Sequence, residues 1–262
     1  MIPLDQSRLV FSCRDDEGVV EVVDDVDGRA LYFGTPARQS AMSRSEPHRL
    51  VLSYTRAMLS GLLFTRAPRS ALVLGLGGGS LPRFLMHAFP ACRIDVVERR
   101  ATVVQVAHEY FHVARSPRLH IHVRDAEAFL REDLDRTYDL VLVDLHDANG
   151  NAPLVTEAGF VESCARRLAA RGVLATNVWT GPTNGIPPSV LRDHRAAFER
   201  RHLVLPVTGK GNCILLGLSF AVASFARPHL DDKALDLQLR LGIEFPQLLD
   251  DLTRANRGFR SS

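Results

Sequence analysis

A single tryptophan, Trp179, and four cysteines, Cys13, Cys92, Cys164 and Cys213, are spread through the 262 residues of this chain. The cysteines show no paired spacing. That argues against a disulfide framework and predicts buried, reduced thiols of the kind cytoplasmic proteins keep. No apolar run reaches membrane-spanning length. Met1-Ile2-Pro3-Leu4-Asp5 lacks the basic and then apolar order of a signal peptide. A cytoplasmic protein without a membrane partner is therefore expected. Charge of one sign is scarce too. The formal net charge is +2 and the arginines are scattered, which speaks against a nucleic-acid binder driven by a basic surface. The nicotinamide fingerprint is also missing. G-x-G-x-x-G begun at Gly75 fits Gly77 but meets Ser80 where the third glycine belongs.

What is present is an ordinary globular composition, 46% hydrophobic and 24% charged, in a chain long enough to bury a large core. The run Ala71-Leu72-Val73-Leu74-Gly75-Leu76-Gly77-Gly78-Gly79-Ser80, followed by Val96-Val97-Glu98, reads as strand, glycine turn, helix and a second strand ending in a carboxylate. Such a unit holds a nucleoside: glycines let backbone approach a ligand, and an acid about 20 residues on grips ribose hydroxyls. A glycine turn can equally serve strand-to-helix packing alone.

Around this unit the chain divides into three stretches. Residues 1–65 are expected to hold short strands, Val19–Val23 and Ala30–Phe33, joined by a hairpin at Asp27-Gly28. A polar loop over 39–49 and an amphipathic helix over 50–64 complete that region. Residues 66–225 alternate strands and helices. Strands are expected at Ala71–Leu74, Arg93–Glu98, His120–Val123, Tyr138–Asp144 and Gly172–Val178. Leu140-Val141-Leu142-Val143 has the continuous apolar run of a central strand buried on both faces. Gly172 is read as the stop of a helix over 157–170. A hairpin of Leu203–Thr208 and Cys213–Phe220 around Gly209-Lys210-Gly211-Asn212 ends the series antiparallel. Residues 226–262 form a helical tail with an arginine-rich, frayed end. The fold class is α/β: a doubly wound, Rossmann-like sheet of the methyltransferase type, closed by an antiparallel hairpin.

Ligands in such sheets bind beyond the carboxyl ends of the strands. Gly77–Gly79, Glu98, Asp125 and Asp144 all fall at such ends. Taken together, the glycine turn, Glu98, Asp125-Ala126 and Tyr138-Asp139-Leu140-Val141-Leu142-Val143-Asp144-Leu145-His146-Asp147 resemble the spermidine synthase (polyamine aminopropyltransferase) family. The resemblance covers roughly residues 15–225, and the D-x-x-D pair Asp144 and Asp147 is its most specific element.

The resemblance implies a transferase of polyamine biosynthesis that moves an aminopropyl group from decarboxylated S-adenosylmethionine to an amine such as putrescine, without a metal, as a homodimer. It implies cofactor contacts at Gly75, Gly77, Gly78, Gly79, Glu98, Asp125, Ala126 and Asp144, and substrate contacts at Gln39 and Tyr54, with Glu46 nearby. By the same resemblance Asp147 accepts the proton of the attacking amine and Asp144 places amine and cofactor tail. A carboxylate suits that task, because an alkyl amine with a pKa near about 10 must shed a proton before it can attack.

Plainer roles stand beside these. Asp125 can cap a helix, and Asp147 can open an Asx turn with Asn149-Gly150. His146 can be incidental or share in proton transfer, and Trp179 can wall a pocket or fill core. The chain also departs from the family pattern. Ser80 replaces an acid that favours a cofactor without its carboxylate. Arg100 and Ala148 replace an acid and a proline, and a tyrosine–histidine–glutamate cluster is reduced to Tyr54-Thr55-Arg56. Those departures leave two alternatives open, an S-adenosylmethionine-dependent methyltransferase of a small molecule and a non-catalytic nucleoside-binding relative.

Overall fold

The computed structural model describes residues 7–132, 136–148, 150–181, 185–209, 211–221 and 227–256. The readings of the first five residues, of Asn149 and Lys210, and of the arginine-rich end beyond 256 fall outside that set. Strands β1 (Arg8–Asp15), β2 (Gly18–Asp24), β3 (Arg29–Tyr32) and β4 (Arg38–Met42) form an antiparallel sheet in sequential order. The hairpin at Asp27-Gly28 joins β2 to β3, with Asp25 Oδ1 accepting from the backbone N–H of Asp27 and Gly28 at 2.9 Å each.

Two elements here differ from the sequence reading. Edge strand β1 carries a register shift between Leu9 and Phe11 that blurs its alternation. The polar loop expected from residue 39 begins instead as β4, whose Ser40–Met42 segment is buried. Its polar Ser40 hid that burial.

A short helix α1 (Ser53–Met58) follows and tightens into a 3-10 turn over Leu59–Leu63. A Cβ at Gly61 would lie 2.8 Å from the Val173 side chain, and every residue of that turn is buried. The single long amphipathic helix expected over 50–64 is thus two pieces, because this segment is enclosed all round rather than on one face.

The larger sheet has the order β12-β13-β11-β8-β5-β6-β7. Its elements in chain order are β5 (Ser70–Leu74), α2 (Ser80–Ala88), β6 (Arg93–Glu98), α3 (Ala101–Tyr110), β7 (Leu119–Val123), α4 (Ala126–Arg131) and β8 (Tyr138–Val143). A two-residue pair β9 (His146–Asp147) and β10 (Gly150–Asn151) comes next, then α5 (Phe160–Arg166), β11 (Leu168–Trp179) and α6 (Pro188–Phe198). Strands β12 (His202–Pro206) and β13 (Asn212–Leu218) close the sheet, and α7 (Arg227–Leu241) and α8 (Phe245–Ala255) pack behind it. Strands β5, β6, β7, β8 and β11 run parallel, and β13 pairs antiparallel with β11 and β12. The doubly wound sheet with its closing hairpin is therefore observed as expected. Among the described residues no helix is long and apolar enough to cross a membrane.

The core lies on both faces of this sheet. Leu140 to Val143 and Ala71 to Leu74 have no exposure, the pattern of strands covered by helices above and below. Gly172 does not stop a helix: α5 ends at Arg166, and β11 starts at Leu168. A Cβ at Gly172 would lie 2.7 Å from the Tyr138 carbonyl oxygen, so this glycine permits a close strand-to-strand approach where the β8–β11 register shifts.

Candidate active site

The winding of the sheet reverses between β5 and β8, which are hydrogen-bonded neighbours. Ligands collect outside the carboxyl ends of strands at such a point. Here the chain makes its tightest approach. Gly75 leaves β5 at φ +94°, and a Cβ on it would lie 2.3 Å from the Asp144 carbonyl oxygen. Gly75 N–H donates to Val97 O at 2.8 Å, and Asp144 N–H donates to Leu74 O at 2.9 Å. The ends of β5, β6 and β8 are thereby laced together, and only glycine fits the crossing.

A cavity of about 660 Å³ opens over these ends, within the range of small-molecule sites. Gly75, Gly77, Glu98, Asp125, Ala126, Asp144, Asp147, Gln39 and Tyr54 line it. Gly78 and Gly79 do not. A Cβ on Gly78 would meet Ser40 Oγ at 2.8 Å, and one on Gly79 would meet Val113 Cγ2 at 2.2 Å, so both spaces are filled by packing. Glu46 stands apart on the surface, 3.3 Å from Arg49.

One side of the cavity is built on β6 and α4. Glu98 ends β6, accepting from Leu76 N–H at 3.1 Å and Arg100 N–H at 3.0 Å. Burial raises its carboxyl above the ordinary range, and those backbone donors oppose the rise. Asp125 caps α4, its Oδ1 accepting from Ala128 N–H at 3.0 Å, and it faces the cavity as well. The helix-capping role therefore exists, and it leaves the cavity role open.

The remaining lining gathers on β8, β9, α1 and β11, across β5 from β6 in the sheet order. Asp144 Oδ1 accepts from Asn177 Nδ2 at 2.8 Å and lies 3.2 Å from His146 Nδ1. Its Oδ2 accepts from the Tyr54 hydroxyl at 3.3 Å. Burial, with Asp144 beside it, pushes the Tyr54 phenol well above its usual value, so it stays a donor. Asn212 Nδ2 donates to Asn177 Oδ1 at 3.0 Å, which orients the amide toward Asp144. Asp147 Oδ1 accepts from Gly150 N–H at 3.1 Å, and Gln39 Nε2 donates to the Asp147 carbonyl oxygen at 3.4 Å.

The departures from the family pattern have visible destinations. Ser80 Oγ donates to Ala41 O at 3.2 Å and lies 3.1 Å from Ser40 Oγ, tying α2 to β4. Arg100 forks onto Asp15, at 3.0 Å from Nε and 2.8 Å from Nη2, and lies over the Phe33 ring at 4.7 Å. Arg56 turns away from the cavity to Glu244 at 2.9 Å. Trp179 lines the cavity with 41% of its surface exposed, so it walls the site rather than filling core. Asn177 escaped the sequence reading. Its only signal was its place near the end of the fifth parallel strand, beside Asp144.

A family model described as "Spermine/spermidine synthase domain" matches residues 52–180. The polyamine aminopropyltransferase of Chromobacterium violaceum is 30% identical over 238 residues, covering 91% of this chain and 90% of that one. The human eEF1A lysine and N-terminal methyltransferase is 28% identical over 210 residues, covering 73% of this chain and 30% of that protein. The crystal structure of human methyltransferase-like protein 13 in complex with SAH superimposes with a TM-score of 0.65 at 27% identity, over 73% of this chain and 93% of the solved one.

Proposed function

This chain belongs to the spermine/spermidine synthase family, and from that premise we propose that it transfers an alkyl group from an adenosylsulfonium compound to an amine nitrogen. Aminopropyl transfer from decarboxylated S-adenosylmethionine to a small amine such as putrescine is the reaction the site supports best. The observation that carries this reading is the polarity of the cavity. Glu98 and Asp125 follow β6 and β7 on one side of β5 in the sheet, Asp144 and Asp147 follow β8 on the other, and all four line the cavity.

In this reading Glu98 takes ribose hydroxyls, Asp125 and Ala126 meet the adenine, and Gly75 and Gly77 bring backbone against the cofactor tail. The sulfonium supplies a carbon already activated for displacement. The chain must hold the amine in line with it and draw off a proton, which positioning and acid–base groups achieve. Asp147 attracts the ammonium by charge. Asp144, held by three side chains, places it. Carbon–nitrogen bond formation is also what an aminopropyltransferase and a lysine and N-terminal methyltransferase have in common.

One observation favours a second reading, methyl transfer from intact S-adenosylmethionine. Ser80 is neutral and tied to β4, so no carboxylate at that position repels a cofactor that keeps its own.

Thermal shift with each sulfonium compound, followed by product analysis with putrescine, separates the readings. Stabilisation by the decarboxylated form with release of methylthioadenosine, suppressed in Asp147→Asn, supports aminopropyl transfer. Stabilisation by S-adenosylmethionine alone, with methylated amine as product, moves the assignment to the second reading. Binding of neither compound overturns both.

A further inference from the structure

A diamine brings two charges into the cavity, because alkyl amines keep their protons up to a pKa of about 10. The second ammonium loses hydration on entry, and something electron-rich must replace the water. The acids lining the cavity are mostly engaged. Glu17 pairs with Arg99 and Glu127 with Arg131. Glu98 and Asp125 belong to the nucleoside in the reading above, and Asp144 and Asp147 to the reacting amine. Glu157 remains, exposed ahead of α5. The Tyr54-Thr55-Arg56 segment supplies no acid, and its Arg56 turns to Glu244.

An aromatic ring stands beside the reacting end instead. Trp179 ends β11, lines the cavity and keeps 41% of its surface exposed. Its backbone is locked by Asn151, whose Nδ2 donates to Trp179 O and whose Oδ1 accepts from Trp179 N–H, both at 2.7 Å. Backbone closes on two opposite edges of the indole. A Cβ on Gly150 would lie 2.6 Å from Cε3, and one on Gly211 would lie 3.2 Å from Nε1. What the ring offers a ligand is therefore a face. Gly150 N–H also donates to Asp147 Oδ1 at 3.1 Å, so indole and carboxylate flank a single residue. On the β13 side Asn212, the register partner of Trp179, donates to Asn177, which donates to Asp144. A ring face attracts a cation through its quadrupole, and tryptophan does so best. Being neutral, it adds no repulsion to the two aspartates.

We infer that Trp179 is a specificity-determining residue, holding the remote ammonium of a diamine on its ring face while Asp144 and Asp147 hold the reacting one. The inference rests on the amine-alkylating reading above and holds whether the transferred group is aminopropyl or methyl.

The test compares putrescine with n-butylamine, which has the same carbon chain and a single charge, in the full-length protein at saturating sulfonium compound. The wild type should show a KM about tenfold lower for putrescine, the size of a desolvated cation–π contact. Trp179→Leu should bring the ratio of the two KM values close to one, with the change in KM rather than kcat, and Trp179→Phe should keep most of the ratio. No preference in the wild type overturns the inference. An equal rise for both amines in Trp179→Leu does so too, since it marks a plain packing wall. A preference that survives Trp179→Leu also overturns it, and loss of that preference in Glu157→Gln would move the remote ammonium to that acid.

A second measurement needs only the wild type. Trp179 is the single tryptophan of the chain, so indole emission reports this ring alone. With methylthioadenosine bound, putrescine should change the emission, and n-butylamine at saturation should leave it nearly as it was. Unchanged emission while putrescine is bound, as shown by titration calorimetry, refutes the inference even if the variants fail to fold. Wild-type protein that alkylates neither amine with either sulfonium compound refutes the functional reading instead.

Discussion

The crossing of β5 and β8 at Gly75 offers a sharp test, because the same substitution can be made where only backbone conformation is at stake. Gly75→Ala forces an L side chain to φ +94° and drives its Cβ to 2.3 Å from the Asp144 carbonyl oxygen, where real Cβ contacts stay beyond 3.0 Å. Gly159→Ala meets a similar φ, +83°, but its Cβ finds nothing within 4 Å. The conformational penalty common to both is about 1–2 kcal/mol. The steric penalty belongs to Gly75 alone. It falls on backbone held by the Asp144 N–H to Leu74 O bond at 2.9 Å, so relief requires moving a strand end. Overpacking of that kind costs a further ~1–3 kcal/mol.

Urea unfolding should therefore show Gly159→Ala down by about 1–2 kcal/mol and Gly75→Ala down by roughly 2–5 kcal/mol, with unchanged m-values. The displaced carboxylate should also cost turnover on the order of 10²-fold, since misplacements near 1 Å carry penalties of that size. Gly159→Ala should leave turnover alone. Equal destabilisation by the two variants would refute the claim that the strand ends are locked at this crossing. Full activity in Gly75→Ala would refute the link from that crossing to Asp144.

Two further outcomes follow from single side chains. Ser80→Asp removes the donor to Ala41 O and sets a negative charge on the glycine turn. Binding of S-adenosylmethionine should weaken at least about tenfold relative to its decarboxylated form, some 1.4 kcal/mol by titration calorimetry, and an unchanged ratio would show that the turn does not sense the cofactor carboxylate. His194 is fully buried beside Thr176 Oγ1 at 3.1 Å, and burial holds its imidazole down at about 3. Between the ordinary value near 6.5 and about 3, only the unfolded chain takes up that proton, so stability is full above the window and falls as the pH drops through it. The loss should reach ~2 kcal/mol at pH 5, and His194→Gln should flatten this slope. A variant with the wild-type slope would mean that other groups govern acid unfolding.

How much of the site was legible depends on what each residue's role requires. Gly75, Glu98, Asp125 and Asp144 could be read because strand ends in an alternating βα series converge by topology, whatever the packing details. Gly78 and Gly79 belong to the same motif yet line no cavity. Their spaces are taken by Ser40, Phe111 and Val113, neighbours remote in sequence. Asn177 was not legible, since an asparagine in an apolar strand acquires meaning only when a carboxylate stands 2.8 Å away. Strand β4 was hidden for a related reason: its short polar segment pairs with β3 and is buried from Ser40 on.

The sequence by itself determined the layers of this protein, because periodicity and apolar runs reflect local physics. It also determined which acids end which strands. Tertiary structure alone decided what those acids do. Asp144 is engaged by side chains from α1, β9 and β11, and only folding brings these together. Ser80 reads in the sequence as a missing charge. In the structure it is a hydroxyl tying α2 to β4, so its meaning lies in a contact between residues some 40 positions apart.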